Sequence, residues 1–245
     1  LLSGFDFGDL TDFSTISAGI ENSNYTVRTQ RTDLVLTLFE HHNAAEVGEF
    51  VRLGRHLREQ NLGAPRVVCG AMQRHRETAQ ATLEALGLPQ EWATDTGFNE
   101  YDHQTLMRVH WPESQDRAVL TRWMNEQDNP RRAFQARFEE ALRRWQRNED
   151  DYQETWPAFR ERVLASLYSL ANRLESGDSA LVFTSGGAIS VAIQHLLELD
   201  QEALITFNRG LINTSVTRLL VNTGRLRLAT LNEHLHLAGD MLTYR

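Results

Sequence analysis

The fold class this sequence predicts is an α/β three-layer sandwich with a mainly parallel sheet, preceded by a small antiparallel β region. Three observations carry it. Two short apolar runs, RVVC at 66–69 and SALVF at 179–183, each end in small residues and pass directly into a helical pattern, which is the strand–loop–helix unit of parallel sheets. Residues 14–39 instead alternate β-branched runs with turn signals, as an antiparallel meander does. Residues 104–176 are rich in Arg, Glu, Trp and Leu at helical spacing and read as a helical flank.

Taken in order, STISAGIENSN, YTVRT, a QRTD turn and LVLTLFE predict the strands of the meander. From Ala44 the period changes: Val47, Phe50, Val51, Leu53, Gly54 and Leu57 trace one face of a helix to about Gln60, and Gly63-Ala64-Pro65 stops it. Strand 66–69 and a helix over 74–86 follow, the helix closed by Gly87-Leu88-Pro89. The flank carries breaks at Trp111-Pro112, Asn129-Pro130 and Trp156-Pro157 and reads as three helices. The run 179–199 is a buried strand, a glycine turn and an apolar helix. Two β-like runs near 214–221 and 225–231 close the chain around Asn222-Thr223-Gly224. His234 and His236 would then alternate on one strand and point the same way. The domain boundary predicted is 1–60 and 61–245.

Composition narrows the functional classes. The net charge of −8 opposes bulk nucleic-acid binding, which needs a basic surface, so an anionic substrate requires a local basic pocket. No lysine occurs among the 25 basic residues, which removes a P-loop lysine, a Schiff-base lysine and a kinase strand lysine. The single cysteine, Cys69, forbids an intramolecular disulfide and, with the missing membrane-length apolar run, predicts a cytoplasmic protein with no membrane partner. The start without Met predicts a trimmed or incomplete N-terminus. Oligomeric state is not encoded in any visible pattern.

The stretch VVCGAMQRHRETA (67–79) holds the most chemistry. Free backbone N–H groups at a helix start beyond a strand end favour anions. Arg74 and Arg76 would sit there with guanidinium forks that match phosphate. The competing reading is a solvated RxRE ion-pair lattice. Cys69 reads as a buried, inert strand-end thiol. No His/Cys pattern has zinc-ligand spacing, so neither metal nor cofactor is expected.

Residues 66–245 resemble the histidine phosphatase superfamily, with its phosphoglycerate mutase-like fold. VVCGAMQRHRETAQ is similar to that family's second-strand motif, GFNEYDH (97–103) to its acidic loop, and LVFTSGGAI (181–189) to its last catalytic strand and turn. FNRGLINTSVTRLL and LATLNEHLHL are similar to its closing strands. The resemblance implies a nucleophilic His and a phosphate-binding Arg in an Arg-His-Gly motif, a second Arg, a proton-donating Glu, and a second His beside a Gly. Arg74 stands at the second Arg, Glu100 at the proton donor and Gly186-Gly187 at the turn, while Ser185 stands where the second His is expected.

Residues 1–60, with ISAGIENSNYTVRT and LVLTLFEHHNAAEV, resemble the small lobe of homoserine kinases in the aminoglycoside phosphotransferase-like superfamily. No HxD-x-x-x-x-N loop follows, and a small lobe alone cannot transfer a phosphoryl group. The two resemblances make the chain look like a chimera or gene fusion. On one register LFEHHNA takes the place of the missing phosphatase motif: His41 replaces its Arg, His42 is the nucleophile, and Asn43 replaces its Gly. The other reading leaves both histidines exposed at a strand end.

Two functions from different classes follow. One is a metal-independent phosphate-monoester hydrolase acting through a phosphohistidine, with His42 and Glu100 catalytic and Arg74, Ser185 and Gly186 holding a small phosphorylated substrate or phosphate ion. The other is a catalytically silent phosphate-binding or interaction protein. A homoserine-like kinase fragment ranks below both.

Overall fold

The computed structural model describes residues 10–16, 23–29, 33–38, 44–60, 62–222, 225–237 and 239–243, with side chains from residue 48 onward except at 240. They fall into two compact units, Leu1–Glu49 and Phe50–Arg245. In the first, β1 (Leu10–Ile16), β2 (Ser23–Thr29) and β3 (Asp33–Leu38) form an antiparallel sheet in the order β1-β2-β3. The meander read from alternation is therefore present. Its third strand pairs with β2 from Asp33↔Arg28 to Leu38↔Ser23.

The second unit is built on a parallel sheet of three short strands, β4 (Arg66–Cys69) in the centre, β5 (Ala93–Thr94) on one side and β6 (Ala180–Phe183) on the other. Apolar residues occupy both faces of β4 and β6, because helices cover both. Val68, Ala180 and Val182 pack with Leu167 and Leu170 of α6 (Trp156–Ala171). Val67, Cys69, Leu181 and Phe183 pack with Ala79 of α2 (Gln73–Leu86). Helix, sheet and helix give the three layers. β7 (Val216–Asn222) and β8 (Arg225–Glu233) form a separate antiparallel pair.

Helix ends follow the expected chemistry. Gly87 stops α2 in the left-handed region at φ 81°, its N–H donating to the carbonyls of Leu83 and Glu84. α1 (Ala44–Glu59) docks on α2 through Gly54, where a Cβ would run into Ala85 and the Thr82 carbonyl. Arg58 of α1 donates to the carbonyls of Ala85 and Leu86 at 2.6 and 3.2 Å.

The flank holds four helices, not three: α3 (His103–His110), α4 (Arg117–Asn125), α5 (Pro130–Gln146) and α6. The extra start is set by Asp116, whose carboxylate accepts from the N–H groups of Ala118 and Val119, an N-cap that carries no proline mark. α5 and α6 begin at the predicted prolines, capped by Asn129 and Thr155. α7 (Gly186–Leu197) and α8 (Gln201–Arg209) complete the unit. The main core joins α3, α5, α6, α7 and α8 around Trp145, which is T-shaped to Trp156 at 5.1 Å. It anchors the helix that begins at the glycine turn.

The chain leaves β8 before the closing histidines, so His234 and His236 do not share a strand face. Both lie in the following turn, where His236 stacks on His56 at 5.4 Å and its Nε2 lies 3.3 Å from Thr214 Oγ1.

Candidate active site

In a parallel sheet all strand carboxyl ends point the same way, so the loops leaving β4, β5 and β6 meet on one rim. Hydrogen bonds join them. The Ala71 N–H, after β4, donates to Asn99 Oδ1 after β5 at 2.6 Å. Thr184, after β6, donates its hydroxyl to the Phe98 carbonyl at 2.7 Å.

Arg74 and Ser185, 111 residues apart in sequence, meet at this rim. The Arg74 guanidinium donates to Ser185 Oγ from Nε at 3.2 Å and from Nη2 at 3.1 Å. His75 Nε2 lies 2.5 Å from the same oxygen. His75 and Ser185 are buried. Arg76 instead is exposed.

Glu100 comes from the loop after β5 and reaches the N-terminus of α7. Its Oε2 accepts the Gly187 N–H at 3.1 Å, and its Oε1 accepts the Tyr101 N–H at 3.2 Å. A Cβ at Gly187 would fall on Glu100 Oε1 and within 2.7 Å of Tyr101 Cε1, so the glycine admits the carboxylate to the helix end. Ser185 is the N-cap of α7 by position, extended at φ −108° and ψ 167°, but its side chain makes no capping bond. Its hydroxyl is turned toward Arg74 and His75 instead of the helix.

Arg162 of α6 fixes the Glu100 loop from behind. Its Nη1 donates to the carbonyls of Gly97 at 3.0 Å and Asn99 at 2.9 Å, while Nε and Nη2 grip the Glu154 carboxylate at 2.5 and 2.9 Å. A cleft of about 480 Å³, lined by Glu100, Tyr101, Trp145, Tyr152 and Arg162 among others, adjoins the loop. Burial pushes the Cys69 thiol up to about 11, against a smaller opposing pull from Arg76. The thiol is thus protonated and unreactive near neutral pH.

Arg74, Glu100, Ser185 and Gly186, read from the sequence as site residues, are therefore gathered at one rim of the sheet. His41, His42 and Asn43 lie outside the described residues. Sequence reasoning missed His75, which the fold turns toward Ser185, and Arg162, which holds the acidic loop. The RHRE run signalled only that charged groups cluster there. Among the described residues, no group of three or more His, Cys, Asp or Glu side chains could hold a metal ion, and no helix is long and apolar enough to cross a membrane.

Comparison with known proteins gives two separate likenesses. Homoserine kinases of Methylobacillus flagellatus and Methylobacillus glycogenes are each 45% identical to this chain, over 67 and 64 residues. Those segments are 27% and 26% of this chain, and the chain spans only about a fifth of the length of these curated relatives, 21% and 20%. Among solved structures, an Escherichia coli K-12 protein described as an alpha-ribazole-5'-P phosphatase superposes with a TM-score of 0.52 at 19% identity, covering 78% of this chain and 83% of that one. Mycobacterial hydrolase 2 superposes with a TM-score of 0.50 at 16% identity, covering 80% and 81%. These likenesses show a shared phosphoglycerate mutase-like α/β fold. Residues 123–234, which include Ser185 and Gly186, match the model of the histidine phosphatase superfamily, branch 1.

Proposed function

We propose that the chain is a metal-independent phosphate-monoester hydrolase of histidine phosphatase type. The observation that carries this reading is the convergence of Arg74, Ser185 and Glu100 from three strand ends onto the N-terminus of α7. Arg74 would neutralise the phosphoryl oxygens, and the Ser185 hydroxyl and Gly186 N–H would add neutral donors. His42 would attack phosphorus in line as a neutral imidazole, forming a P–N bond as the P–O bond to the leaving group breaks. Glu100 would give its proton to the departing oxygen, then take one from the water that cleaves the phosphohistidine.

Substrates of this chemistry are small phosphate monoesters. The lone, buried Cys69 supports a reducing, cytoplasmic setting, and the two likenesses on one chain support a fusion of unrelated segments.

Hydrolysis of p-nitrophenyl phosphate in the presence of EDTA tests the reading. The parent should turn over, Arg74→Ala and Glu100→Gln should each lose about a hundredfold or more, and His42→Ala should be inactive. A phosphohistidine trapped at another residue would refute the His42 assignment. Ser185 at the place of the second histidine favours the second reading, a silent phosphate binder: phosphate bound by the parent without any turnover would select it. Binding of ATP in a calorimetric titration would be needed to revive a kinase role.

A further inference from the structure

We propose that Asn99, the residue before Glu100, is a positioning residue whose side chain sets the distance between the proton donor and the Arg74 end of the site; this rests on the phosphatase reading above. Asn99 Oδ1 accepts the Ala71 N–H at 2.6 Å. Ala71 lies three residues ahead of Arg74, on the approach to α2. One side chain thus joins the loop that delivers the acid to the loop that delivers the guanidinium. The bonds from Gly187 to the Glu100 carboxylate at 3.1 Å and from Thr184 to the Phe98 carbonyl at 2.7 Å run instead from the turn after β6. Those from Arg162 come from α6.

The Asn99 backbone is itself pinned, which lets its side chain act as a spacer. Its N–H donates to the Thr96 carbonyl at 3.0 Å, its carbonyl accepts Arg162 Nη1 at 2.9 Å, and it closes the short turn Thr96–Phe98 at φ −68° and ψ 152°. On the other side, Ala71 precedes α2, and Met72 at the N-cap position makes no side-chain capping bond. Removing the amide therefore leaves the Ala71 N–H without this acceptor and lets the two loops part. A general acid must lie about 2.6–3.2 Å from the oxygen it protonates, and a misplacement of about 1 Å can cost about a hundredfold. An asparagine makes this tie with a neutral oxygen, so it adds no charge beside the Glu100 carboxylate.

The test compares phenyl phosphate with p-nitrophenyl phosphate on the full chain, with thermal unfolding to verify each variant. The two esters are alike in shape and charge, but p-nitrophenolate departs unaided while phenolate needs a proton. kcat/KM is the quantity read, because it reports the steps up to departure of the alcohol and not the later attack of water. Asn99→Ala should lower it about tenfold or more for phenyl phosphate and by no more than about threefold for p-nitrophenyl phosphate. Asn99→Asp, which keeps an oxygen facing the Ala71 N–H, should recover most of the loss. Glu100→Gln should show the same bias, and adding Asn99→Ala to it should not enlarge that bias, since the asparagine acts through the acid. Thr184→Val should lower stability without the bias, because the Gly187 N–H still holds Glu100 to the same turn. Should Asn99→Ala not fold, Asn99→Ser, too short to reach Ala71, takes its place. Equal losses on the two esters in the folded variant, or the same bias in Thr184→Val, overturn the role and make Asn99 a strut of the loop, with the phosphatase reading left standing. Absence of turnover of either ester by the parent refutes the phosphatase reading itself, and this inference with it.

Discussion

Replacing Arg162 with alanine removes the group that holds the acidic loop, and its cost can be worked from the contacts. Two short bonds, to the carbonyls of Gly97 and Asn99 at 3.0 and 2.9 Å, are charge-assisted and contribute about 1.5 kcal/mol each. The bonds to Thr96 and Glu100 carbonyls, both at 3.4 Å, are too long to add much. The pair with Glu154 is bidentate, but its side chains are 27% and 34% exposed, so it adds roughly 0.5–1 kcal/mol. The total is about 3.5–4 kcal/mol, which for a unit of this size lowers Tm by roughly 7–16 °C. Differential scanning calorimetry measures that, and p-nitrophenyl phosphate turnover should fall by about tenfold or more because Glu100 loses its position. Arg162→Lys, which keeps the charge but cannot span the carbonyls and Glu154 together, should recover less than half. An alanine variant within about 2 °C of the parent, or a lysine variant equal to it, would refute the reasoning.

Three further outcomes follow from the same structure. Gly187→Ala should cost about 1–3 kcal/mol of stability through overpacking and displace Glu100, seen as a lower urea midpoint together with a lower kcat; retention of both would show that the helix end can yield. Burial, with His56 and His234 adding like charge, holds His236 down at about 4 in the folded protein against 6.5 for the free side chain, so the unfolded chain takes the proton first. The stabilisation is complete above pH 6.5 and is lost as pH falls toward 4, by roughly 1–2 kcal/mol after allowing for solvent screening; His236→Gln should flatten urea midpoints measured from pH 7.5 to 4.5, and an unaltered slope would exclude His236 as its source. Cys69, its thiol raised to about 11 by burial, should resist iodoacetamide in the native protein and react at full rate only in denaturant, so rapid native alkylation would contradict its placement.

What the sequence conveyed and what it withheld divide along the range of the interactions. Strand β4 and helix α2 were legible because an apolar run, a small-residue loop and a Gly87 stop are all written within about twenty residues. The α4 start was not, because Asp116 caps without proline and sits inside a run already helical in pattern. Arg74, Ser185 and Glu100 could be named from ordered motifs. That Arg74 and Ser185 share a hydrogen bond depends on the parallel pairing of β4 with β6, which no local period specifies. His75 sits unmarked inside the RxRE run; only the docking of α2 turns it inward. Arg162 was hidden for the same reason, since four backbone carbonyls leave no trace in side-chain identity.

The division of β4 between two helices has a consequence for dynamics. Val68 serves α6 and Cys69 serves α2, so neither amide can be released without parting a strand from a layer of helix. Hydrogen exchange at these two positions should therefore proceed only through unfolding of the whole unit. The β7–β8 pair, with Leu220 and Leu231 open to solvent, should exchange earlier and on its own, which would make the rim above the sheet the part of the molecule least able to breathe.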